Sequence, residues 1–391
     1  GSIVQILGVR QVQGQKGRDS MDLNPTAEQD QLIDAFSSLY TKESSTERVR
    51  AAEPLGFDEE LWDHLKEIGA LEMAVDESSG GWGATMLDLS LVAEQHGRAL
   101  GAAPLFESQV ALRLLARLGE PAKELLRASL AGEALTTVAL HGPTNGSLKM
   151  VPAGAIADRV IFLDGDKICV GGTSQRVIIE NLGSMPVADV SLGGDVEVIS
   201  TGAQARDAFE MLFDEWFLLL ANALVGIGER SIEIGVDYVK ERKAFGVPIG
   251  SFQAISHGLA DAATAMDGSK LLSREAAWSA DVMPERTREL AALAFGFSTE
   301  SAREASYRAL HYHGGYEPCT ITVAMASCLS TTFNCSSVER KHGRHSMESR
   351  ARVLRAQNQN DLKKLRVGYS DGFHIGREKR HLPRGSSSIF G

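Results

Sequence analysis

Residues 238–257 read Tyr-Val-Lys-Glu-Arg-Lys-Ala-Phe-Gly-Val-Pro-Ile-Gly-Ser-Phe-Gln-Ala-Ile-Ser-His. A helical pattern runs into this stretch, Gly-Val-Pro-Ile-Gly at 246–250 breaks it, and a second amphipathic pattern starts at Phe252. The pattern predicts a helix-turn-helix corner. Arg242 and Phe245, three apart, are expected on the last helical turn and so on one face. The guanidinium offers a fixed fork of donors for a phosphate, and the ring offers a flat apolar surface. Together they can clamp a nucleotide. A basic helix end closed by a glycine needs no such role on its own, so the weight rests on the whole string.

Other residues with chemical potential read more plainly. Gly80-Gly81-Trp82-Gly83 follows no strand, as a dinucleotide fingerprint requires. His311 and His313, two apart on a helix, share no face and have no third ligand nearby in sequence, so no metal is expected. The four cysteines, Cys169, Cys319, Cys328 and Cys335, show no Cys-x-x-Cys spacing. A reducing, cytoplasmic setting fits them better than a disulfide framework. A net charge of -11 argues against a general nucleic-acid binder, because phosphate contacts need a basic surface. The most apolar run, 216–227, is short and lies close to Asp214, Glu215 and Glu229, which predicts a buried core helix without a membrane span.

The elements that must position these residues follow from periodicity. Thr26 with Gln29 forms a capping box ahead of Leu32, Ile33, Phe36 and Leu39 on one face. Asp58 starts a helix with Leu61, Trp62, Leu65 and Ile68 inward, and further helices are expected at 86–99, 104–117 and 121–131. The period then changes: 135–140, 159–163, 167–170, 176–180 and 196–200 are short, rich in Val and Ile and separated by glycine turns, which predicts a small antiparallel sheet. Helical periodicity returns over 204–243, 252–282 and 285–312, three long helices of a bundle with one place open. The fold class expected is α+β, mainly α. An N-terminal helical domain (21–133) precedes a reduced middle β domain (134–202) and a C-terminal helical bundle (203–316). Residues 1–20 read as a tag or upstream segment before Met21.

The order Tyr-x-x-x-Arg-x-x-Phe-Gly-x-Pro-Ile-Gly-x-Phe-Gln resembles the acyl-CoA dehydrogenase family, and the likeness extends more loosely from about Met21 to Tyr316. The resemblance implies FAD, with Arg242, Phe245 and Gln253 facing the FAD of a neighbouring subunit. It also implies a backbone approach to FAD at Ala309-Leu-His-Tyr-His-Gly-Gly-Tyr316, hence His311, Gly314 and Gly315. The glycine loop at 75–83 and the helix after it look like the family's acyl-pocket segment. Residues 139–147 stand where a flavin-contacting turn is expected, in a middle domain that looks cut down.

The activity so implied is α,β-dehydrogenation of an acyl-CoA to a 2,3-enoyl-CoA by an oligomer, a dimer or tetramer of like or unlike subunits. A carboxylate in a dry pocket takes the α proton, its pKa raised by burial. One family position for that base counts back from Arg242 to Trp216, and Glu215 is next door, about 100° around the helix. A solvated residue beside Asp214 is the plainer expectation for Glu215. The other family position lies in the tail. Two functions follow: an FAD-dependent acyl-CoA dehydrogenase using Glu215 or another carboxylate, or the non-catalytic partner subunit of a hetero-oligomer.

After Tyr316 the likeness stops. Residues 317–391 are polar, basic towards the end and without periodicity. Read one frame over, permitted codons for 321–344 spell His-Gly-Gly-Tyr-Gly-Phe and a continuation typical of the family, and 317–321 can repeat Ala-Leu-His-Tyr-His. A short tandem duplication that shifts the frame accounts for both. Such a chain lacks the fourth bundle helix and is poorly folded or inactive.

Overall fold

The computed structural model describes residues 21–181 and 183–314. The expectations for 1–20, Gly315 and the tail at 317–391, its altered frame included, lie outside the described residues.

The first helices begin where the sequence signals them. Thr26 caps α1 (Ala27–Glu43) in a complete capping box with Gln29, and Ser45 caps α2 (Thr46–Ala52). Asp58 caps α3 (Glu59–Glu67), and Thr85 with Asp88 forms a second capping box on α4 (Met86–Ala99). Each cap supplies an acceptor to amide groups that the first turn leaves unpaired. α5 (Leu105–Leu118) and α6 (Lys123–Leu130) complete this set. Ile68 falls at the C-cap of α3 and is only half-buried, unlike Leu61, Trp62 and Leu65.

The middle sheet is mixed, which corrects the antiparallel expectation. β1 (Thr136–Val138) pairs parallel to β3 (Arg159–Asp164), while the remaining pairs in this sheet are antiparallel. The two segments expected at 167–170 and 176–180 are one strand, β4 (Lys167–Ile178), whose first half pairs β3 and β6 (Glu197–Thr201). Its second half pairs β5 (Ala188–Leu192), which also pairs β2 (Ser147–Val151). Leu148, Val151, Val160, Phe162, Cys169 and Val190 form the core of this layer.

Three long helices follow: α7 (Gly202–Glu241), α8 (Gln253–Val282) and α9 (Pro284–His313). α7 is the spine of the molecule, packed by α4, α5, α8 and α9. By length and composition it could cross a membrane, yet 78% of its most apolar window is buried inside the protein, which makes it a core helix. Gly97 and Gly226 let α4 and α7 touch backbone to backbone, since a Cβ at either would run into the Ala223 or Glu94 carbonyl. Lys270 of α8 ties the three helices together through Glu94 and Glu229, at 2.9 Å from each. Leu271 on α8 and Phe297 and Tyr307 on α9 stay exposed.

Candidate functional site

The corner after α7 is a hairpin, so Arg242 and Phe245 do not share a helical turn. α7 ends at Glu241, and Arg242 is its C-cap in extended conformation. The chain then forms a two-stranded ribbon, β7 (Lys243–Ala244) against β8 (Val247–Pro248), with Ala244 opposite Val247. Its two-residue loop is Phe245-Gly246, with φ of 53° and 84°. Positive φ at both central positions is the geometry that matches the twist of a two-residue hairpin. Pro248 lies on a two-stranded edge, where its missing N–H costs little, and the Ile249 amide closes the corner onto the Arg242 carbonyl at 2.8 Å.

Phe245 is 96% exposed, and its ring meets the edge of Phe252, 6.3 Å away at 84°. Left-handed φ is uncommon for so bulky a residue, and here the two-residue hairpin loop imposes it. Arg242 and Gln253 are likewise exposed. All three point outward, so the corner suits a planar, phosphate-bearing group brought from outside this chain.

The end of α9 lies against the same end of the bundle. The Tyr238 ring stacks on His313 at 4.1 Å, and Arg308 donates to the Gly258 carbonyl. His313 is buried, with Nδ1 2.7 Å from the Ala309 carbonyl. His311 is exposed and stacks on Tyr307 at 5.9 Å, and Gly314 follows with φ of 66°. Arg242, Phe245, Gln253, His311 and Gly314 thus belong to one end of the bundle, whereas Glu215 sits far along α7 from Arg242. The turn expected near the flavin is tight: Asn145 and Gly146 both have positive φ, and Thr144 bridges to Ser147.

Glu215 is neither solvated nor a free base, contrary to both expectations. It is 6% exposed and accepts from the Arg113 Nε at 2.9 Å and from Arg117. Burial pushes its pKa up, but the two guanidiniums outweigh this and hold it below the usual carboxylate range. A carboxylate so paired is a weak proton acceptor. Trp216, at the expected family position, is buried.

Sequence reasoning passed over another of the buried carboxyls. Glu107, on α5, is 5% exposed, and burial raises its pKa to about 7, partly offset by its own backbone and by Trp216. It lines a cavity of about 100 Å³ that opens to solvent and is walled by the end of α4 (His96, Gly97), by Leu220 and Ala223 of α7, and by Met185. The glycine loop at 75–83 is absent from this lining, and the far end of the helix that follows it contributes instead. His96 is held neutral there, with burial lowering its pKa to about 4 and the Tyr40 hydroxyl 2.7 Å from Nδ1. Position in a helical pattern gave no signal for Glu107, because Leu105-Phe-Glu-Ser-Gln109 is buried at all five residues.

Comparison with known proteins agrees with this architecture. The family profile described as acyl-CoA dehydrogenase, N-terminal domain, matches residues 26–133, and that described as acyl-CoA dehydrogenase, C-terminal domain, matches 212–317. An acyl-CoA dehydrogenase named IpdE2 from Mycolicibacterium smegmatis is 30% identical over 300 residues, covering 74% of this chain and 87% of the relative. Benzylmalonyl-CoA dehydrogenase from Aromatoleum aromaticum is 26% identical over 336 residues, covering 72% and 86%. Among solved structures, butyryl-CoA dehydrogenase from Megasphaera elsdenii superposes with a TM-score of 0.70 at 20% identity, covering 79% of this chain and 95% of that one. A long identity match to a named relative, two matching domain profiles and a shared fold converge: this chain belongs to the acyl-CoA dehydrogenase family.

Proposed function

We propose that the chain is a subunit of an FAD-dependent acyl-CoA dehydrogenase, acting in a dimer or tetramer on an acyl-CoA thioester to give a 2,3-enoyl-CoA. The observation that carries this reading is the outward-facing corner of Arg242, Phe245 and Gln253, exposed as a flavin shared across a subunit boundary requires. Arg242 would hold the diphosphate, Phe245 the flat adenine, and the end of α9 with His311 and Gly314 a neighbouring edge of the group. FAD, when bound, supplies the acceptor for the β hydrogen as hydride. The chain's own task is to grip and orient that group and to keep water from the apolar faces around it.

The α proton needs a carboxylate, and Glu215 is poorly suited to take it, being paired with two guanidiniums. That pairing favours a second reading, in which this chain is the non-catalytic partner in a hetero-oligomer and lends Arg242 and Gln253 to a neighbour's FAD. The flavin absorbance of the purified chain, alone and co-expressed with a neighbouring dehydrogenase subunit, tests the first reading against the second. A chain that stays colourless in both preparations contradicts both. Turnover of an acyl-CoA panel by Glu215→Gln reports separately on the base, and undiminished activity clears Glu215 of that role.

A further inference from the structure

We propose that a separate cavity, between α3, α5, α6 and the start of β1, is a binding site for a small amino alcohol, a compact cation that carries a hydroxyl. The inference goes beyond the flavin reading and does not rest on it.

The inner wall of this cavity, about 200 Å³ in volume, includes three buried hydroxyls. Ser108 of α5 is 4% exposed, and its Oγ has no hydrogen-bond partner among the described residues. A helical serine often returns its proton to the carbonyl one turn back. This one does not, and a buried hydroxyl left unanswered is costly. Ser129 of α6 and Thr136 of β1 share one hydrogen bond at 2.8 Å. Whichever of the two donates, the other keeps a proton to offer. The wall is therefore ready to donate to, and to accept from, a hydroxyl brought in by a ligand.

The rim has the opposite character. Glu59 and Asp63 of α3 and Asp158 just ahead of β3 line the cavity and are exposed. Lys66, with Nζ 2.8 Å from Asp63, balances one of these carboxylates, and Asp158 accepts from the Leu135 amide at 2.8 Å. The rim thus carries more negative charge than Lys66 offsets, which favours a cation and repels a phosphate or a carboxylate. Trp62, 7% exposed, and Leu71 and Leu112 add aromatic and apolar surface for the carbon shell of a methylated ammonium. A cavity of about 150 Å³ takes a benzene ring, so a molecule of choline's size fits here with its hydroxyl inward and its charge at the rim.

Titration calorimetry of the full chain, without flavin or CoA, tests this with choline and two analogues. Ethyltrimethylammonium lacks the hydroxyl, and the uncharged isostere of choline has carbon in place of nitrogen. Wild type is expected to bind choline saturably and each analogue at least about threefold more weakly. Ser108→Ala should bind choline about three- to tenfold more weakly and ethyltrimethylammonium as wild type does. Glu59→Gln should weaken both cations about two- to fivefold and leave the uncharged isostere unchanged. Ser108→Ala removes a buried, unpartnered hydroxyl, so its unfolding curve should stay level or move to higher denaturant, which separates lost affinity from lost fold. Absence of saturable choline binding to wild type overturns the proposal, as does a Ser108→Ala variant that changes choline and ethyltrimethylammonium alike. Tighter binding of the uncharged isostere than of choline overturns it too. In each case the flavin reading stands.

Discussion

Glu107 and Glu215 lie on two helices, α5 and α7, that pack against each other, and they are buried to almost the same degree, 5% and 6%. Their ionisations nevertheless move in opposite directions. Burial raises both, but only Glu215 has guanidiniums beside it, and the Coulomb attraction of Arg113 and Arg117 reverses the outcome. Depth alone therefore does not make a carboxylate basic; what faces it decides. Glu215, next to the position reached by counting along the chain, is held by two guanidiniums, whereas Glu107 stands in Leu105-Phe-Glu-Ser-Gln109, a stretch buried at every residue.

The largest effect that can break this comparison comes from removing the Glu215 carboxylate. Glu215→Leu leaves two partly buried guanidiniums without their partner, and a loss of about 3–5 kcal/mol is expected in urea unfolding at pH 7. A loss under about 1 kcal/mol means the pair is not the anchor described here.

The next effect is a pH dependence with opposite signs. The folded chain holds the Glu107 proton to about pH 7, whereas the unfolded chain releases it near 4.5. Its contribution is complete below about 4.5 and disappears as pH rises through 7, a difference of roughly 3 kcal/mol. His96 works the other way: its folded pKa of about 4 lies below the ordinary 6.5, so stability is lost as pH falls from about 6.5 towards 4. Glu215, with its pKa lowered, likewise loses its contribution in acid. Wild-type stability is therefore flattened between about 4.5 and 6.5, and Glu107→Gln should show a stability that climbs with pH across that window. A variant curve parallel to wild type contradicts the assignment.

The smallest effect is at the corner, where nothing is buried. Phe245→Gly relieves a left-handed phenylalanine that is 96% exposed, so denaturant stability should stay level or rise by up to about 1 kcal/mol, while flavin retention falls. A loss of more than 1 kcal/mol in the isolated chain indicates that the ring supports the fold instead.

Much of the helical framework was legible because its signals are local. Thr26-x-x-Gln29 and Asp58 announce starts that a cap must satisfy, and the change from helical to strand period marks the sheet. β2 was not legible for a physical reason. A bulge at Met150, with φ of 51°, puts its two buried residues, Leu148 and Val151, three apart, so the alternation that betrays a strand is lost. β5 carries Ala188, Asp189 and Ser191, poor strand formers held by Asp189 bonding to Lys149 and the Met150 amide. The corner was half legible. Its breaking residues were clear, but Phe-Gly as a left-handed pair is a turn that propensity disfavours. Glu107 and its cavity depend on contacts between distant segments, which no local pattern encodes.

FAD titration of the purified protein, wild type against Arg242→Ala, tests the proposed flavin grip at the corner most directly. A charged hydrogen-bond pair contributes about 1.5–3 kcal/mol, so the variant should bind FAD at least about tenfold more weakly with its unfolding curve unchanged. Equal affinity in the two proteins contradicts the account.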